Sequence, residues 1–363
     1  MFKSILRDRL LISLFTLSVL IKFFSLNAAW VERYYTFGIY PFIAAALRIL
    51  FGWIPFSIGD LLYLAASIYL VLKAWKLIRL LAKRQVKEYL SWILFRKYLK
   101  LVLWIYLIFN IFWGLNYNRQ GIEFQFGLKM DKYTPADLYE LTSALQKKLN
   151  GYAHQVDPLN RLTLNNNTTL FNEGIAAYKK VSAQYSFLTY RKPSIKPSFF
   201  THVGHYFRFT GYYNPFTGEA QLKTTVPEFI KPFIVCHEIG HQLGYAKENE
   251  ANFSSFLAGR VSDHAEFRYS VYWDMYTYAM RDLLMYNRPC YIELKETEHK
   301  QVKNDIRAYR EYLLKNRNLV EPVMTNMYDR YLRMNNQPLG KESYNEVVAW
   351  LMAYMKKYGK EAL

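Results

Sequence analysis

Cysteine is nearly absent from the chain, which has 363 residues and only two cysteines, Cys236 and Cys290. Two cysteines are too few for a disulfide framework, so a small disulfide-stabilised scaffold is excluded. Histidine is also scarce, with seven in the whole chain, and the positions of these few are therefore informative. Because 52% of the residues are hydrophobic and 18% are aromatic, an intrinsically disordered chain is excluded as well.

Acidic residues are few relative to basic ones. The chain carries 47 Lys and Arg against 29 Asp and Glu, a formal net charge of +18. Such an excess is typical of proteins that bind nucleic acid or anionic membrane surfaces, and of membrane proteins with basic cytoplasmic loops. Because basic residues cluster beside apolar runs in the first third of the chain, we predict a membrane protein and no nucleic-acid partner.

Three apolar runs in the first third have about the length needed to cross a bilayer, which takes about 17–25 residues. They cover residues 10–26, 61–75 (extended back to Pro55) and 99–115. We therefore predict a transmembrane region over residues 1–116 with about three spans. Residues 40–55 are apolar but shorter and contain Arg48, and we interpret them as an interfacial or re-entrant helix.

The positive-inside rule gives an orientation for these spans. Two groups of basic residues set this orientation. They are Lys3, Arg7 and Arg9 before the first run, and Lys73, Lys76, Arg79, Lys83, Arg84, Lys87, Arg96, Lys97 and Lys100 from the end of the second run to the start of the third. With three spans, both groups lie in the cytoplasm, and residues 117–363 form an extracytoplasmic domain.

Two alternatives stay open for the first third. The first run also has the pattern of a cleaved signal peptide, although the bulky Lys22, Phe23 and Phe24 near its end favour an uncleaved anchor. A fourth span at residues 40–55 would reverse the orientation of everything downstream.

Residues 117–363 have the mixed patterning of a water-soluble domain. Thr134 and Asp137 predict a helix start, and from Pro227 onward the pattern is helical almost throughout. Residues 194–222 are rich in Gly, Pro and Phe with short alternating stretches, which predicts loops and short strands. The predicted fold class is mainly α: transmembrane helices followed by an α+β domain with a small sheet.

One short motif indicates a metal site. His237, Glu238 and His241 form an HExxH sequence, and two histidines four positions apart on a helix share one face and can bind one Zn²⁺. Glu238 lies beside them and is the candidate general base that takes a proton from the attacking water. The alternative is a surface helix that matches by coincidence, which we expect in roughly one chain of this composition in a hundred.

A third ligand is expected beyond Gly244, where the chain can turn sharply. Glu248 and Glu250 are both candidates. If a new helix begins near Lys247, Glu248 and Asn252 share one face, so that Glu248 binds the metal and Asn252 orients a ligand histidine. This pattern favours Glu248, and Glu250 remains the alternative.

Other candidate ligands have weaker support. Cys236 faces a different side of the helix from His237 and is predicted to be a small buried residue. His202 and His205 have the spacing of a helical pair, but Gly204 between them disfavours a helix.

The HExxH motif and the stretch from Glu248 to Phe253 resemble the zincin metallopeptidases that use a glutamate as third zinc ligand. In that pattern the first glutamate corresponds to Glu248 and the residue four positions later to Asn252. The runs GYYNPFTGEA at 211–220 and HEIGHQLGYAKENEAN at 237–252 make most of the chain similar to an uncharacterised bacterial family of multi-pass membrane proteins. The resemblance implies a bacterial inner membrane location, with a zincin-like domain facing the periplasm or exterior.

The resemblance also implies that substrate pairs with an edge strand just before the motif helix. Residues 217–224 are the expected edge strand. Tyr212 or Tyr213 is the expected donor to the oxyanion, against the alternative that both tyrosines only pack.

These observations together predict a membrane-anchored zinc metallopeptidase. His237, His241 and Glu248 bind Zn²⁺, and Glu238 is the general base. The predicted partners are a lipid bilayer and a peptide or protein substrate. Two alternatives stay open: a non-enzymatic membrane scaffold or assembly factor with a structural zinc, and an intramembrane protease. The sequence predicts neither the identity of the substrate nor the oligomeric state.

Overall fold

The fold of the chain is taken from a computed structural model that describes residues 8–83, 92–207, 209–340 and 346–363. Among the basic residues that orient the predicted spans, Lys3, Arg7, Arg84 and Lys87 lie outside the described residues. The fold is mainly helical with one small sheet, which confirms the predicted class at that level.

Sixteen helical segments of the described residues are labelled here in chain order. They are α1 (Arg9–Ser25), α2 (Ala28–Phe51), α3 (Ile58–Ala82), α4 (Trp92–Phe112), α5 (Ile122–Phe126), α6 (Pro135–Ala153), α7 (Pro158–Thr163), α8 (Asn167–Ser182), α9 (Gly204–Phe207), α10 (Lys231–Gln242), α11 (Glu248–Gly259), α12 (Ala265–Tyr286), α13 (Arg288–Glu296), α14 (Lys300–Lys315), α15 (Glu321–Met334) and α16 (Glu346–Tyr358). Short 3₁₀ helices cover Gly114–Asn118, Ser186–Leu188, Phe199–His202, Glu228–Ile230 and Lys360–Ala362.

The sheet has three short strands in the spatial order β1-β3-β2. They are β1 (Ile195–Pro197), β2 (Gly211–Asn214) and β3 (Glu219–Leu222). β2 and β3 form an antiparallel hairpin in which Gly211 pairs with Leu222, and β1 runs parallel to β3. Gly218, in the hairpin turn, has a φ of +69°, a left-handed conformation that favours glycine. The predicted short strands between residues 194 and 222 are confirmed.

The motif helix α10 is the centre of the main hydrophobic core. All of its 12 residues are buried, and α8, α11, α12 and the sheet pack around it. Burial of an aliphatic side chain such as Val235 or Ile239 contributes about 1.5–3 kcal/mol. α10 and α11 cross closely at Gly240, where a Cβ would come within 2.3 Å of Ser254 Oγ. Tight packing on several sides therefore fixes the motif residues.

A smaller core joins the N-terminal helices to the rest of the chain. Tyr40 of α2 packs in one cluster with Trp113 and Tyr213. Glu32, also in α2, forms a buried ion pair with Arg119 at 2.9 Å. α2 therefore packs directly against the region that contains the motif.

Two helices of the described residues are long and apolar enough to cross a membrane. They are α2 and α3, with mean hydropathies of 1.3 and 1.6, and α3 contains the second predicted run. The first and third predicted runs form α1 and α4. By the same comparison of length and composition, α1 is too short and α4 carries too many charges to be counted with them. α1 has only 17 residues, and the first half of α4 carries Arg96, Lys97 and Lys100.

The interfacial helix predicted at residues 40–55 is not a separate element. It is the second half of α2, which begins earlier, at Ala28. Pro41 does not start a new helix there, because the preceding segment, Val31–Ile39, is π-helical. A π-helical segment accommodates the changed hydrogen-bond pattern that proline causes.

Candidate metal and catalytic site

A sharp turn after α10 brings the third candidate ligand back over the motif. Gly244 has a φ of +88°, and its N–H donates to the carbonyl of His241 at 2.9 Å, which closes the end of the helix. α11 then begins at Glu248. The predicted turn and the predicted helix after it are both confirmed.

His237, His241 and Glu248 converge on one point. One potential ligand atom from each side chain lies within 4.8 Å of the other two. Glu248 Oε2 is 3.2 Å from His237 Nε2 and 3.7 Å from His241 Nε2. In the part of the chain that the structure describes, no other three His, Cys, Asp or Glu side chains are arranged in this way. The structure thus brings the three predicted residues together and leaves Glu250 outside the group.

Both histidine rings are held by hydrogen bonds at the nitrogen that faces away from Glu248. His237 Nδ1 is 2.8 Å from Asn252 Oδ1, and His241 Nδ1 is 2.7 Å from the carbonyl oxygen of Tyr245. Because these oxygens accept, each Nδ1 carries a proton, and both Nε2 atoms face the carboxylate. Asn252 contacts His237 as the sequence predicts, and such contacts orient metal-binding histidines.

The carboxylate of Glu248 fits a cation in this position. Its Oε2 is buried and has no hydrogen-bond donor among the described residues, whereas its Oε1 accepts a 2.6 Å hydrogen bond from Tyr328. A buried charged oxygen without a partner is costly. One cation would satisfy Oε2 and both Nε2 atoms, and two imidazoles with one carboxylate suit Zn²⁺.

Charges within the group shift its pKa values in different directions. Burial acts to raise the pKa of Glu248, but the two histidines outweigh burial and hold that pKa well below its usual value. Burial acts to lower the pKa of His241, but Glu248 outweighs burial and raises the pKa to about 9. For His237 burial prevails and lowers the pKa. The environment of Glu248 therefore favours a positive charge beside it.

Glu238 lies buried beside the group. Its Oε2 has no hydrogen-bond partner in the described part of the chain, and burial raises the pKa of its carboxyl to about 8. β2 runs directly past this carboxyl, because a Cβ added to Gly211 would lie 2.5 Å from Glu238 Oε1. Glycine at position 211 therefore allows the strand to approach Glu238.

α15 and the residues after it form hydrogen bonds with Glu248, a role that no sequence pattern indicates. Besides the bond from Tyr328 to Glu248, the side chain of Gln337 accepts a 3.1 Å hydrogen bond from the N–H of Glu248. Tyr331 OH lies 3.1 Å from Tyr117 OH. The only sequence signal is the spacing of the two tyrosines in α15, which is not distinctive in a chain with 32 tyrosines.

The N-terminal helices also contact the end of α10, which the sequence analysis missed as well. Trp113 Nε1 donates to the carbonyl of His241 at 3.3 Å. The carbonyl of Gln242 accepts hydrogen bonds from Tyr40 OH (3.0 Å) and Arg48 Nη1 (3.2 Å). The apolar context of Tyr40 and Arg48 suggests a membrane surface, and only the tertiary fold shows that they close the motif helix.

The predicted substrate-pairing strand is wrong. Residues 217–224 contain β3, and β3 is the central strand, hydrogen-bonded to β1 on one side and to β2 on the other. Both of its edges are therefore occupied. β2, which passes Glu238, is an edge strand of this sheet.

The remaining candidates lie apart from the ligand group. Tyr212 OH donates to Asp60, and Tyr213 OH lies 3.4 Å from Tyr40 OH, so both hydroxyls have other partners. Cys236 is fully buried, as predicted. His202 and His205 are not among the converging residues.

Comparisons with known proteins identify a family and no activity. Residues 35–352 match the family described as "Protein of unknown function (DUF3810)". Because the match covers most of the chain, the chain belongs to this family, and the expected membership of an uncharacterised family is confirmed. No curated protein and no solved structure matches the chain.

Proposed function

We propose that this member of the DUF3810 family is a membrane-anchored, zinc-dependent metallopeptidase with a zincin-like domain. The observation that carries the proposal is the convergence of His237 Nε2, His241 Nε2 and Glu248 Oε2, with both Nδ1 atoms held by oxygen acceptors. A coincidental HExxH sequence on a surface helix would require neither the burial of the motif nor these orienting bonds.

The three side chains would hold Zn²⁺ and leave a fourth position open, which is the arrangement of catalytic zinc sites. When bound, Zn²⁺ would polarise the scissile carbonyl and lower the pKa of water in the site. Tyr328 supports this arrangement from outside, because it holds the second oxygen of Glu248.

Glu238 is the residue that we assign to proton transfer. It follows His237 directly in α10, is buried, and has a carboxylate oxygen without a partner among the described residues. Glu238 would take a proton from the attacking water and pass it to the leaving amine of the peptide. A site with a purely structural metal needs no such base.

The N-terminal helices support a membrane anchor, since α2 and α3 are long and apolar enough to cross a bilayer, and the three spans that we propose are α1, α3 and α4. Asp8, just before α1, pairs with Lys100 near the middle of α4 at 2.7 Å, and Phe24 near the end of α1 packs against the same cluster as Phe109 near the end of α4, so the two helices run parallel. α3 starts at the opposite end, because Glu219 accepts hydrogen bonds from the N–H groups of Ile58 and Gly59. Three spans would then alternate in direction, with the catalytic region on the extracytoplasmic side and basic residues on the cytoplasmic side.

A closed site favours one alternative, a scaffold with a structural zinc. His237, the most exposed of the four motif residues, is only 8% exposed. The intramembrane alternative has less support, because α10 has 12 residues and a bilayer span needs about 20.

Metal content of the full chain, purified in detergent, tests the proposal. We expect about one zinc per chain in the wild type, and loss of zinc in His241→Ala and Glu248→Ala. Glu250→Gln is the matched control, since it changes a buried carboxylate two positions away and should retain zinc. Glu238→Gln should also retain zinc but lose hydrolysis of a peptide library.

Three outcomes would contradict this proposal in different ways. A wild-type chain without metal would remove the site altogether. Zinc retained in Glu248→Ala would assign the third ligand elsewhere. Bound zinc without cleavage of any peptide in the library would favour the structural alternative.

A further inference from the structure

A small cavity, which we call the Lys223 pocket, lies close to the candidate site. Its main lining residues are His205, Phe209, Thr210, Lys223, Tyr309 and Tyr312. The cavity volume is about 110 Å³, well below the roughly 300–1,000 Å³ of sites that enclose a whole small-molecule ligand. The pocket therefore suits one side chain or one chain end.

The pocket is joined to the candidate site through the start of β2 and the residue after β3. Thr210, in its wall, directly precedes Gly211, the residue that β2 places against Glu238. Lys223 follows β3, and its N–H donates to the carbonyl of Thr210 at 2.9 Å. A peptide whose scissile bond lies at Glu238 would therefore have a neighbouring group within reach of the pocket.

Lys223 is a buried cation without a carboxylate partner among the described residues. Its side chain is 2% exposed, and its Nζ donates to Tyr312 OH at 2.8 Å. Burial is the only influence on the pKa of Lys223 and lowers it. Glu321 also lines the cavity, but among the described residues it forms no ion pair with Lys223.

Two other buried cations differ in this respect. Lys196 pairs with Glu219, and Arg119 pairs with Glu32. Arg48 and Lys231, which like Lys223 bond to neutral groups, do not line this cavity. A buried charge is costly unless it is paired. An unpaired buried lysine at the wall of a cavity therefore indicates that an anion from outside the chain completes the pairing.

We infer that the Lys223 pocket binds a carboxylate group of the substrate, beside the bond to be cleaved. Lys223 Nζ would donate to the carboxylate. Tyr312 OH accepts from Lys223 and so retains its own proton for a second hydrogen bond to the same group. The inference rests on the proposed peptidase function and names its substrate class: peptides with a carboxylate at this position.

Two parts of a peptide can supply this carboxylate. One is the side chain of an acidic residue next to the scissile bond, and the other is the free C-terminus. The two sources are distinguished by three fragments: N-acetylglutamate α-amide, N-acetylglutamine as free acid, and N-acetylglutamine amide, which has no carboxylate.

The test measures binding of each fragment to the full zinc-loaded chain that carries Glu238→Gln. We expect one of the two carboxylate fragments to bind at least tenfold more tightly than the neutral amide. Adding Lys223→Met, which keeps the aliphatic stem, should abolish this preference, and Lys223→Arg should restore much of it. Lys231→Met is the matched control, because Lys231 is also buried but bonds to Asn165.

The outcomes separate this inference from the proposed function. Equal binding of all three fragments, no binding at all, or a preference that survives Lys223→Met in a chain of unchanged melting temperature would overturn the inference. Because the measurement needs no hydrolysis, a chain that selects carboxylates through Lys223 but cleaves no peptide would overturn the peptidase proposal alone.

Discussion

Buried carboxylate oxygens without a partner occur in this chain both inside and outside the candidate site. Glu238 and Glu248 lie inside it, where water and a cation are the natural partners. Asp274, in α12, lies outside the ligand group, yet its Oδ2 is also buried without a partner among the described residues. For Asp274 the cost of burial has no compensation in the proposed chemistry, so that cost should appear in the stability of the protein.

We expect the free energy of unfolding to depend on pH through the titration of Asp274. Burial raises the pKa of Asp274 well above its usual 3.8 in the folded state. Its contribution to stability is therefore complete below pH 3.8 and is lost as the pH rises through the folded-state pKa. Asp274→Asn should raise the free energy of unfolding at pH 7 by about 1.4 kcal/mol per unit of pKa displacement and change it little near pH 4.

Thermal or urea unfolding of the full chain in detergent at the two pH values measures this effect. Asp131→Asn, at an exposed position, is the control and should change stability little at either pH. An equal gain from Asp274→Asn at pH 4 and pH 7 would show that titration of Asp274 is not the cause.

At the scale of whole elements, α15 connects the surface of the protein to the candidate metal ligands. One face of this helix carries Tyr328 and Tyr331 toward the site. Val323, Met327 and Met334 of the same helix are exposed apolar side chains. Movement of α15 would therefore change the hydrogen bonding of Glu248.

We expect Tyr328→Phe to weaken zinc binding about tenfold, because a hydrogen bond to a charged group contributes about 1.5–3 kcal/mol. Competition with a chelator measures the affinity, and hydrogen exchange over residues 321–334 should become faster. Tyr331→Phe is the control, since it removes only the contact with Tyr117. Equal zinc affinity in wild type and Tyr328→Phe would show that α15 does not support the ligand.

The features that the sequence predicts well are local ones. The helix start at Thr134, the turn at Gly244 and the contact of Asn252 with His237 depend on residues a few positions apart and on helical periodicity. The order of the three strands is not local, because β1 inserts beside β3 from more than 20 residues earlier in the chain. For that reason the edge strand was predicted at the wrong position, 217–224.

The contact of α15 with Glu248 and the contacts of α2 with the end of α10 likewise depend on the tertiary fold. Tyr328, Tyr40 and Arg48 form ordinary patterns in the sequence, in an amphipathic helix and an apolar stretch. Their roles follow from packing partners between 80 and 202 positions away. Hydrophobic periodicity in a sequence does not identify such distant partners.

At the scale of the whole molecule, buried polar contacts join the N-terminal helices to the region of the candidate site. The guanidinium of Arg119 binds both oxygens of Glu32 in α2 at 2.9 Å and also donates to the carbonyl of Gly244. The turn that positions Glu248 is therefore tied to a candidate membrane helix by a buried cation.

We expect Arg119→Met to destabilise the full chain by about 3–5 kcal/mol, because it leaves the buried charge of Glu32 unpaired. The double variant Glu32→Gln with Arg119→Met should recover much of this loss in urea unfolding. Lys180→Met is the control, since its ion pair with Asp263 is exposed, and exposed pairs contribute about 0–1 kcal/mol. A loss below 1 kcal/mol for Arg119→Met would refute the coupling.

The long sequence separations of these contacts have a consequence for biosynthesis. The N–H of Gly59 can form its hydrogen bond only after Glu219 has been synthesised, 160 positions later. The hydroxyl of Tyr40 can form its bond only after Gln242 has been synthesised, 202 positions later. At about 5–20 residues per second, the ribosome needs roughly 10–30 s to deliver the first of these partners. Tyr328 follows Glu248 by a further 80 positions. We therefore expect the contacts that hold the candidate site to be complete only after the chain has been translated through Tyr328.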